Sequence, residues 1–347
     1  MTIDIQNLTL EDIAEKAGVS RSTVSRVVNE HPNVSEKVRT RVLQVIAETG
    51  FHPNAAARTL ASQRSSMIGF ILGRTVSSFF TDPYFPQLTQ GIAQACNQNR
   101  YTLSLFLVGS REDEAMIFPN VSRKGLLDGA IVQSGHDDDE LINKLITSNI
   151  PIVVVGRPFE VEDVTFLDVD NVEASRQAVV HLIGLGNTRI ATIEGSANTT
   201  VSIDRRQGYE KALAEAGLPL DEKLIASGDF SEESGYKAME ALLPHKPDAV
   251  FAASDAMAFG AIRAARHAGL RVPEDIGFVG FDDLPSARRF EPALTTVRQP
   301  VSEMGSKAVE TLLQIIHEGA ASQAATIVPT ELVVRNSCGA KAKGLAQ

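Results

Sequence analysis

The chain has almost no cysteine. Cys96 and Cys338 are the only thiols in 347 residues, too few for a disulfide framework or a structural zinc site. The seven His show no pairing at metal-ligand spacing, and no cofactor-binding motif stands out. No apolar run approaches the ~18 residues of a membrane span, and the opening "MTIDIQNLTLEDIAEKAG" has no basic region followed by an apolar core. A cytoplasmic protein without membrane contact is therefore expected. No Ser-His, Cys-His or phosphate-loop arrangement is visible, and Asp282 and Asp283 are adjacent rather than separated as an acid and base, so catalysis is not expected. Low-complexity tracts are missing too, apart from a small-residue tail, "GAKAKGLAQ", expected to be disordered.

Positive charge is also scarce. Lys and Arg number 33 against 43 Asp and Glu, a net charge of -10, which at first argues against a polyanionic partner. The distribution removes that objection. The first 64 residues hold eight basic and seven acidic side chains, leaving 25 against 36 for the rest, and Arg21 to Arg64 holds seven against three. An acidic body repels a polyanion everywhere except through this one segment. The length is too great for one ordinary core and suits two or three domains, and 43% hydrophobic content supports well-filled interiors.

What is present from Leu8 to Arg64 is a run of short helices. Thr9 and Asp12 have the spacing of a capping box, Ile13, Ala14 and Ala17 share a face, and Gly18 suits a left-handed stop. Ser20 caps a second helix whose Val24, Val27 and Val28 point one way, pushing Arg21, Ser22, Ser25 and Arg26 the other. Two helices joined by Gly-Val-Ser are the signature of a helix-turn-helix. Arg can read guanine bidentately in the major groove, while Ser20 and Thr23 suit phosphates. A third helix, capped by Ser35 and carrying Val38, Val42, Leu43 and Ile46, would close the core. Beyond Pro53 and Asn54, "AAARTLASQR" is too short to fold alone, given the ~12–15 residues an isolated helix needs. Leu60 stands out in it as a side chain able to wedge a minor-groove base step. Amphipathic three-helix clusters also occur without nucleic acid, and a polar helix face is commonly just solvated.

"LEDIAEKAGVSRSTVSRVVN" and "VSEKVRTRVLQVIAETGFHPNAAARTLA", with the segment beyond, resemble the lactose-repressor/galactose-repressor (LacI/GalR) family of bacterial transcription regulators. The resemblance implies that Arg21 and Ser22 are base-reading positions that vary with the operator, that Arg26 contacts a base, and that Leu60 is a hinge-helix wedge. Asn29 and Ala57 complete the implied DNA-contacting set with Ser20 and Thr23.

After Arg64 the texture changes to apolar strands alternating with amphipathic helices. "MIGFIL", "YTLSLFLVG", "LLDGAIVQSG" and "IPIVVVGR" read as strands, with "FPQLTQGIAQACNQN" and "DDDELINKLITSN" as helices. The plan repeats with strands "RIATIEGS", "KLIASGDF", "PDAVFAAS" and "DIGFVGFDD" around helices "DRRQGYEKALAEAG", "SGYKAMEALL" and "DAMAFGAIRAARHAG". Continuous apolar strands joined through helices imply parallel sheets covered on both faces. The fold class expected is an N-terminal all-α helix-turn-helix headpiece plus two doubly wound α/β subdomains of periplasmic-binding-protein type. The expected boundaries are 1–52 for the headpiece, 53–65 for a hinge helix, 66–167 with 299–327 for one subdomain, 168–298 with 328–339 for the other, and 340–347 for the tail. The resemblance gives the last helix, "SEMGSKAVETLLQIIHEG", to the first subdomain and the last strand, "ELVVRNS", to the second, so the chain crosses between them three times.

Ligands of such sheets lie beyond the carboxyl ends of the strands. Those ends supply Ser134, Gly156 and Arg157, then Gly195, Ser196, Asp229, Phe230, Ser254, Asp255, Asp282 and Asp283, while "GRTVSSFFTDPYFPQ" adds Phe79, Phe80, Asp82 and Tyr84. Charged forks, hydroxyls and aromatic faces without a cluster of like charge suit a neutral polyhydroxylated ligand. The resemblance matches Arg205, Phe230 and Asp282 to effector-binding positions and carries over Phe80, Asp82 and Tyr84. Ser254 departs from the pattern by replacing a frequent Asn. Ser134 and Arg157 join the candidates from their strand ends. Each has a plainer reading: Asp282 and Asp283 as turn braces, Arg205 as a partner of Asp204 or Glu210, Phe230 as packing, Arg157 as a bridge between subdomains, and Asp170 as a helix cap. The expected machine is a homodimeric regulator, most simply a repressor, that binds palindromic operator DNA and responds to a mono- or oligosaccharide between its subdomains. Apolar positions in "FPQLTQGIAQAC" are candidates for the dimer face. The alternative is a sugar-binding carrier of periplasmic type.

Overall fold

The computed structural model describes residues 8–28, 31–51, 64–123, 125–133, 140–148, 150–159, 164–319 and 324–340. The chain forms two compact units, Met1–Ser65 and Ser66–Gln347. In the first, α1 (Leu10–Ala17), α2 (Arg21–Val28) and α3 (Glu36–Thr49) surround one small core. Thr9 Oγ1 accepts from Asp12 N while the Asp12 carboxylate accepts from Thr9 N, closing the capping box. Gly18 ends α1 at φ 60, and its N–H donates back to Ala14 and Glu15 carbonyls. Ile13, Ala14, Ala17, Val24, Val27, Val42 and Phe51 are buried together. Phe51 was not expected there. Two expectations for α3 are corrected: Leu43 lies on the solvent side, 49% exposed, because the buried stripe runs through Val38, Val42 and Ile46, and Ser35 makes no side-chain cap bond.

The second unit holds two six-stranded sheets. The chain first lays down β1 (Met67–Leu72), α4 (Val76–Thr81), α5 (Tyr84–Gln98), β2 (Thr102–Leu107), α6 (Arg111–Val121), β3 (Gly129–Gln133), α7 (Glu140–Thr147), β4 (Ile152–Val155) and β5 (Phe166–Val169). It then builds α8 (Asn171–Gly184), β6 (Ile190–Glu194), α9 (Thr200–Glu215), β7 (Ile225–Ser227), α10 (Glu232–Leu242), β8 (Ala249–Ala252), α11 (Asp255–His267), β9 (Gly277–Asp282) and β10 (Thr295–Arg298). Finally α12 (Val301–Glu318) and β11 (Ala325–Val328) return to the first sheet, and β12 (Glu331–Val333) goes back to the second. The orders are β11-β5-β4-β3-β1-β2 and β12-β10-β9-β8-β6-β7. Among the described residues all pairings are parallel except one: β12 runs antiparallel to β10, with Arg298 opposite Glu331. The expectation of purely parallel sheets is corrected at that edge.

The chain therefore passes between the sheets after β5, after β10 and after β11. One apolar cluster runs unbroken from Phe70 and Leu88 to Phe251 and Phe281, so the two layers share a core where the chain crosses. The apolar face of α5, with Phe85, Leu88, Ile92, Ala95 and Cys96, is buried inside that core. This corrects its assignment to a dimer face. It packs on α12 at very short range: a Cβ added at Gly91 would sit 1.9 Å from the Ser302 carbonyl oxygen, and Ser306 Oγ donates to the Gly91 carbonyl at 3.2 Å. Gly91→Ala should wedge the two helices apart and cost about 1–3 kcal/mol, read as a lowered melting temperature. An unchanged melt would mean that the contact yields without strain.

Candidate functional site

A cavity of about 760 Å³, counted to its open mouth, lies within the second unit. From the first-sheet side come Gly73, Arg74, Asp82, Tyr84, Phe85, Gln133, Gly156 and Asp168. From the other come Thr199, Val201, Arg205, Phe230, Ser254 and Asp282, with Gln299 on the segment between β10 and α12. Most sit at carboxyl ends of strands or in the first turn of the following helix, where parallel sheets leave their crevice.

Each wall residue is held by its own local chemistry. Arg205 on α9 is buried, its Cζ 3.5 Å above the Phe281 ring centroid. Its Nε donates to Asn171 Oδ1 at 2.9 Å and its Nη1 to the Ala253 carbonyl at 2.5 Å, with Asp282 Oδ1 3.8 Å away. Gln299 Nε2 donates to that same Asp282 oxygen at 2.6 Å. Ser254 caps α11 by accepting from Met257 N at 3.2 Å, which explains a hydroxyl at this position. Phe230 has φ 70, and its ring lies on Gly195, where an added Cβ would meet it at 2.0 Å. Behind the wall, Asp255 accepts from Thr296 Oγ1 at 2.5 Å and from Leu284 N at 2.8 Å.

The cavity is acidic, contrary to the expectation that like charges would not cluster. Asp82, Asp168 and Asp282 line it beside Arg74 and Arg205, and Asp255 stands behind. Burial pushes the Asp82, Asp168 and Tyr84 protons up in affinity. Asp255 is held well above the usual carboxylate range by burial and then by Asp282. Burial pushes Asp282 up to about 7, with Arg205 opposing. Burial also lowers Arg205 from its ordinary value, again opposed by Asp282. A buried acid of this kind gains from any ligand that donates hydrogen bonds to its charged form.

The structure brings Asp82, Tyr84, Arg205, Phe230, Ser254 and Asp282 together, as sought from sequence. It does not bring in two others. Phe80 is 71% exposed, because α4 turns Phe79 inward and leaves Phe80 edge-on to it. Arg157 is drawn outward to Asp204, with Nη2 to Oδ1 at 2.7 Å, and only its backbone N–H reaches Asp168. Ser134 lies outside the described residues. Sequence reasoning missed Gly73, Arg74, Phe85, Gln133, Asp168, Thr199, Val201 and Gln299. Asp168 was visible only as the first of two acids in "FLDVD", and Gln299 only as the residue entering the second crossing. Asp170 does cap α8, accepting from Glu173 N at 2.9 Å.

On the first unit, Arg21, Ser22 and Arg26 lie exposed on α2, opposite the buried Val24 and Val27. Ser20 Oγ accepts from Thr23 N at 3.2 Å, starting the helix. Arg21 Nε meets Glu11 Oε1 at 2.7 Å with both side chains more than half exposed, a contact of little net worth that a phosphate or base edge could replace. Asn29, Ala57 and Leu60 lie outside the described residues, as does most of the expected hinge.

Residues 9–54 match the family model for bacterial regulatory proteins of the lacI family, and residues 179–338 match that for a periplasmic binding protein-like domain. The chain is 38% identical over 333 residues to the HTH-type transcriptional regulator CelR of Thermobifida fusca, covering 95% of this chain and 98% of that one. The chain belongs to the LacI family. Among solved members, the CelR–cellobiose complex superposes at TM-score 0.76 with 36% identity, over 95% of this chain and all of the other. The lac repressor dimer bound to operator and the anti-inducer ONPF gives 0.83 with 29% identity, over 96% and 99%. This LacI-family chain is thus a helix-turn-helix transcription regulator with a two-sheet α/β body. Its relatives are regulators rather than enzymes. Among the described residues no His, Cys, Asp or Glu side chains form a group able to hold a metal, and no helix is long and apolar enough to cross a membrane.

Asp282 makes stability depend on pH. Its proton is held more tightly in the folded chain than in the unfolded one, so its contribution is complete below about pH 4 and lost as pH rises through about 7. Asp282→Asn should flatten the fall in melting temperature across that window. Identical pH profiles would exclude Asp282 as the titrating group.

Proposed function

We propose that this LacI-family regulator represses transcription in the bacterial cytoplasm by binding an inverted-repeat operator as a homodimer, and that a neutral mono- or oligosaccharide in its cavity changes that affinity. It carries out no reaction of its own. The observation that carries the effector reading is the buried Arg205–Asp282 pair beside the Phe230 ring. A guanidinium and a carboxylate can pair with vicinal hydroxyls, and an aromatic face covers the apolar side of a sugar ring. The CelR relative bound to cellobiose supports the same class, and cellobiose is the first probe. The lac repressor relative, a dimer on its operator, supports two-fold pairing. A carrier reading has no use for the helix-turn-helix.

The proposed effector contacts are Asp82, Tyr84, Arg205, Phe230, Ser254 and Asp282; the proposed DNA contacts are Ser20, Arg21, Ser22, Thr23, Arg26, Asn29, Ala57 and Leu60. The segment 53–65 serves as the hinge. A ligand shifts operator binding only by its differential affinity for the two states, typically ~1–3 kcal/mol. Fluorescence anisotropy of a labelled inverted repeat, with and without cellobiose, tests the reading. It fails if no inverted repeat is preferred over random DNA in a salt-sensitive way.

Two substitutions separate the roles on DNA. Arg26→Ala should cost ~1–3 kcal/mol on the operator, and an equal loss on random DNA would demote Arg26 to a phosphate contact. Leu60→Ala should weaken operator binding while sugar affinity, measured by calorimetry, holds; full operator affinity in this variant would count against the wedge.

A further inference from the structure

We infer that Asp283, which does not line the cavity, is the positioning residue that holds Asp282 in its ligand-facing place. This rests on the effector reading above. The two aspartates end β9 with φ of 123 and 56, a left-handed stretch that side-chain-bearing residues rarely adopt and that persists only where neighbours enforce it.

The enforcement comes through Asp283. Its side chain is 3% exposed, and its Oδ2 accepts from Arg298 Nε at 2.7 Å. Its Oδ1 accepts from Arg335 Nη2, and Arg288 Nη2 lies 3.8 Å off. Those partners are themselves fixed. Arg335 Nη1 donates to the Leu294 carbonyl at 2.7 Å and its N–H to Thr295 Oγ1 at 2.9 Å. Arg298 Nη1 donates to Glu331 Oε2 at 2.7 Å. Burial works against ionisation of Asp283, but Arg298 and Arg335 outweigh it and hold the carboxyl below its ordinary range.

The consequence is a division of labour in one dipeptide. Arg298 lies opposite Asp282 in the β9–β10 register yet bonds Asp283, and the next residue, Gln299, bonds Asp282. Asp283 thus fixes the turn to β10, which leads into the second crossing, and to the segment that follows the third. The charged groups facing Asp283 are Arg288, Arg298 and Arg335, with Glu331 behind Arg298, and Asp255 and Asp282 on the cavity side.

The test is a double-mutant cycle on the full chain with cellobiose as probe: wild type, Asp282→Asn, Asp283→Asn and the double variant, each titrated by calorimetry. Asp283→Asn should weaken cellobiose binding about tenfold or more, the effect of a lost charge-assisted hydrogen bond, and the double variant should be no weaker than Asp282→Asn. Asp283→Gly relieves the backbone conformation without restoring the anchor and should bind as poorly as Asp283→Asn. Wild-type affinity in either Asp283 variant, or losses that add to that of Asp282→Asn, would overturn the inference. If wild type binds no sugar, the effector reading falls, and the pH profile of melting still decides this one. Freeing the turn lets water reach Asp282, so the loss of stability towards pH 7 should shrink in Asp283→Asn; an unaltered profile overturns the positioning role.

Discussion

A guanidinium and a carboxylate kept from water set the terms for the rest of this molecule. Buried charges persist only when paired and hydrogen-bonded, and Arg205 and Asp282 are supplied with both. Asn171 and the Ala253 carbonyl take two of the Arg205 donors, the Phe281 ring lies beneath its plane, and Gln299 reaches Asp282. The supply is incomplete. At 3.8 Å the two groups attract without sharing a hydrogen bond, and the proton on Asp282 is held up to about 7. The proposed hydroxyl-rich ligand would supply further partners.

Two partners of this pair come from the places where the chain changes sheets. Asn171 opens α8 directly after β5, and Gln299 follows β10. The same contacts that solvate the charges are therefore tied to the crossings, and the shared apolar cluster leaves little slack there. A small molecule that re-partners Arg205 or Asp282 acts on the segments that set how the two layers meet. Close-packed interiors switch between arrangements rather than deform smoothly, as the proposed effector control requires.

Much of this was legible in the sequence because its signals are local. The capping box at Thr9, the stop at Gly18 and the outward set Arg21, Ser22 and Arg26 need only helical periodicity, and β1, β3 and β4 announce themselves as apolar runs. The strands β5, β10 and β11 do not; they are as short as β4, but Asp168, Thr295, Thr296, Arg298 and Thr326 interrupt the apolar run that gives β4 away. Position within short elements was the other failure. The spacing of Phe79 and Phe80 cannot say which ring a six-residue helix turns inward, and Leu43 satisfies the apolar pattern of α3 while facing solvent. The acid cluster was hidden for a topological reason: Asp82, Asp168, Asp255 and Asp282 are far apart in sequence and meet only once both sheets are closed.

The central claim is that the cavity holds a carboxylate whose charge is completed by its ligand. Titrating cellobiose, or whichever sugar binds, at pH 7 in buffers of different ionisation enthalpy measures it directly. Hydroxyl donors favour the ionised form of Asp282, so binding should release a fraction of a proton to the buffer. A binding heat independent of the buffer, or net proton uptake, would contradict the account.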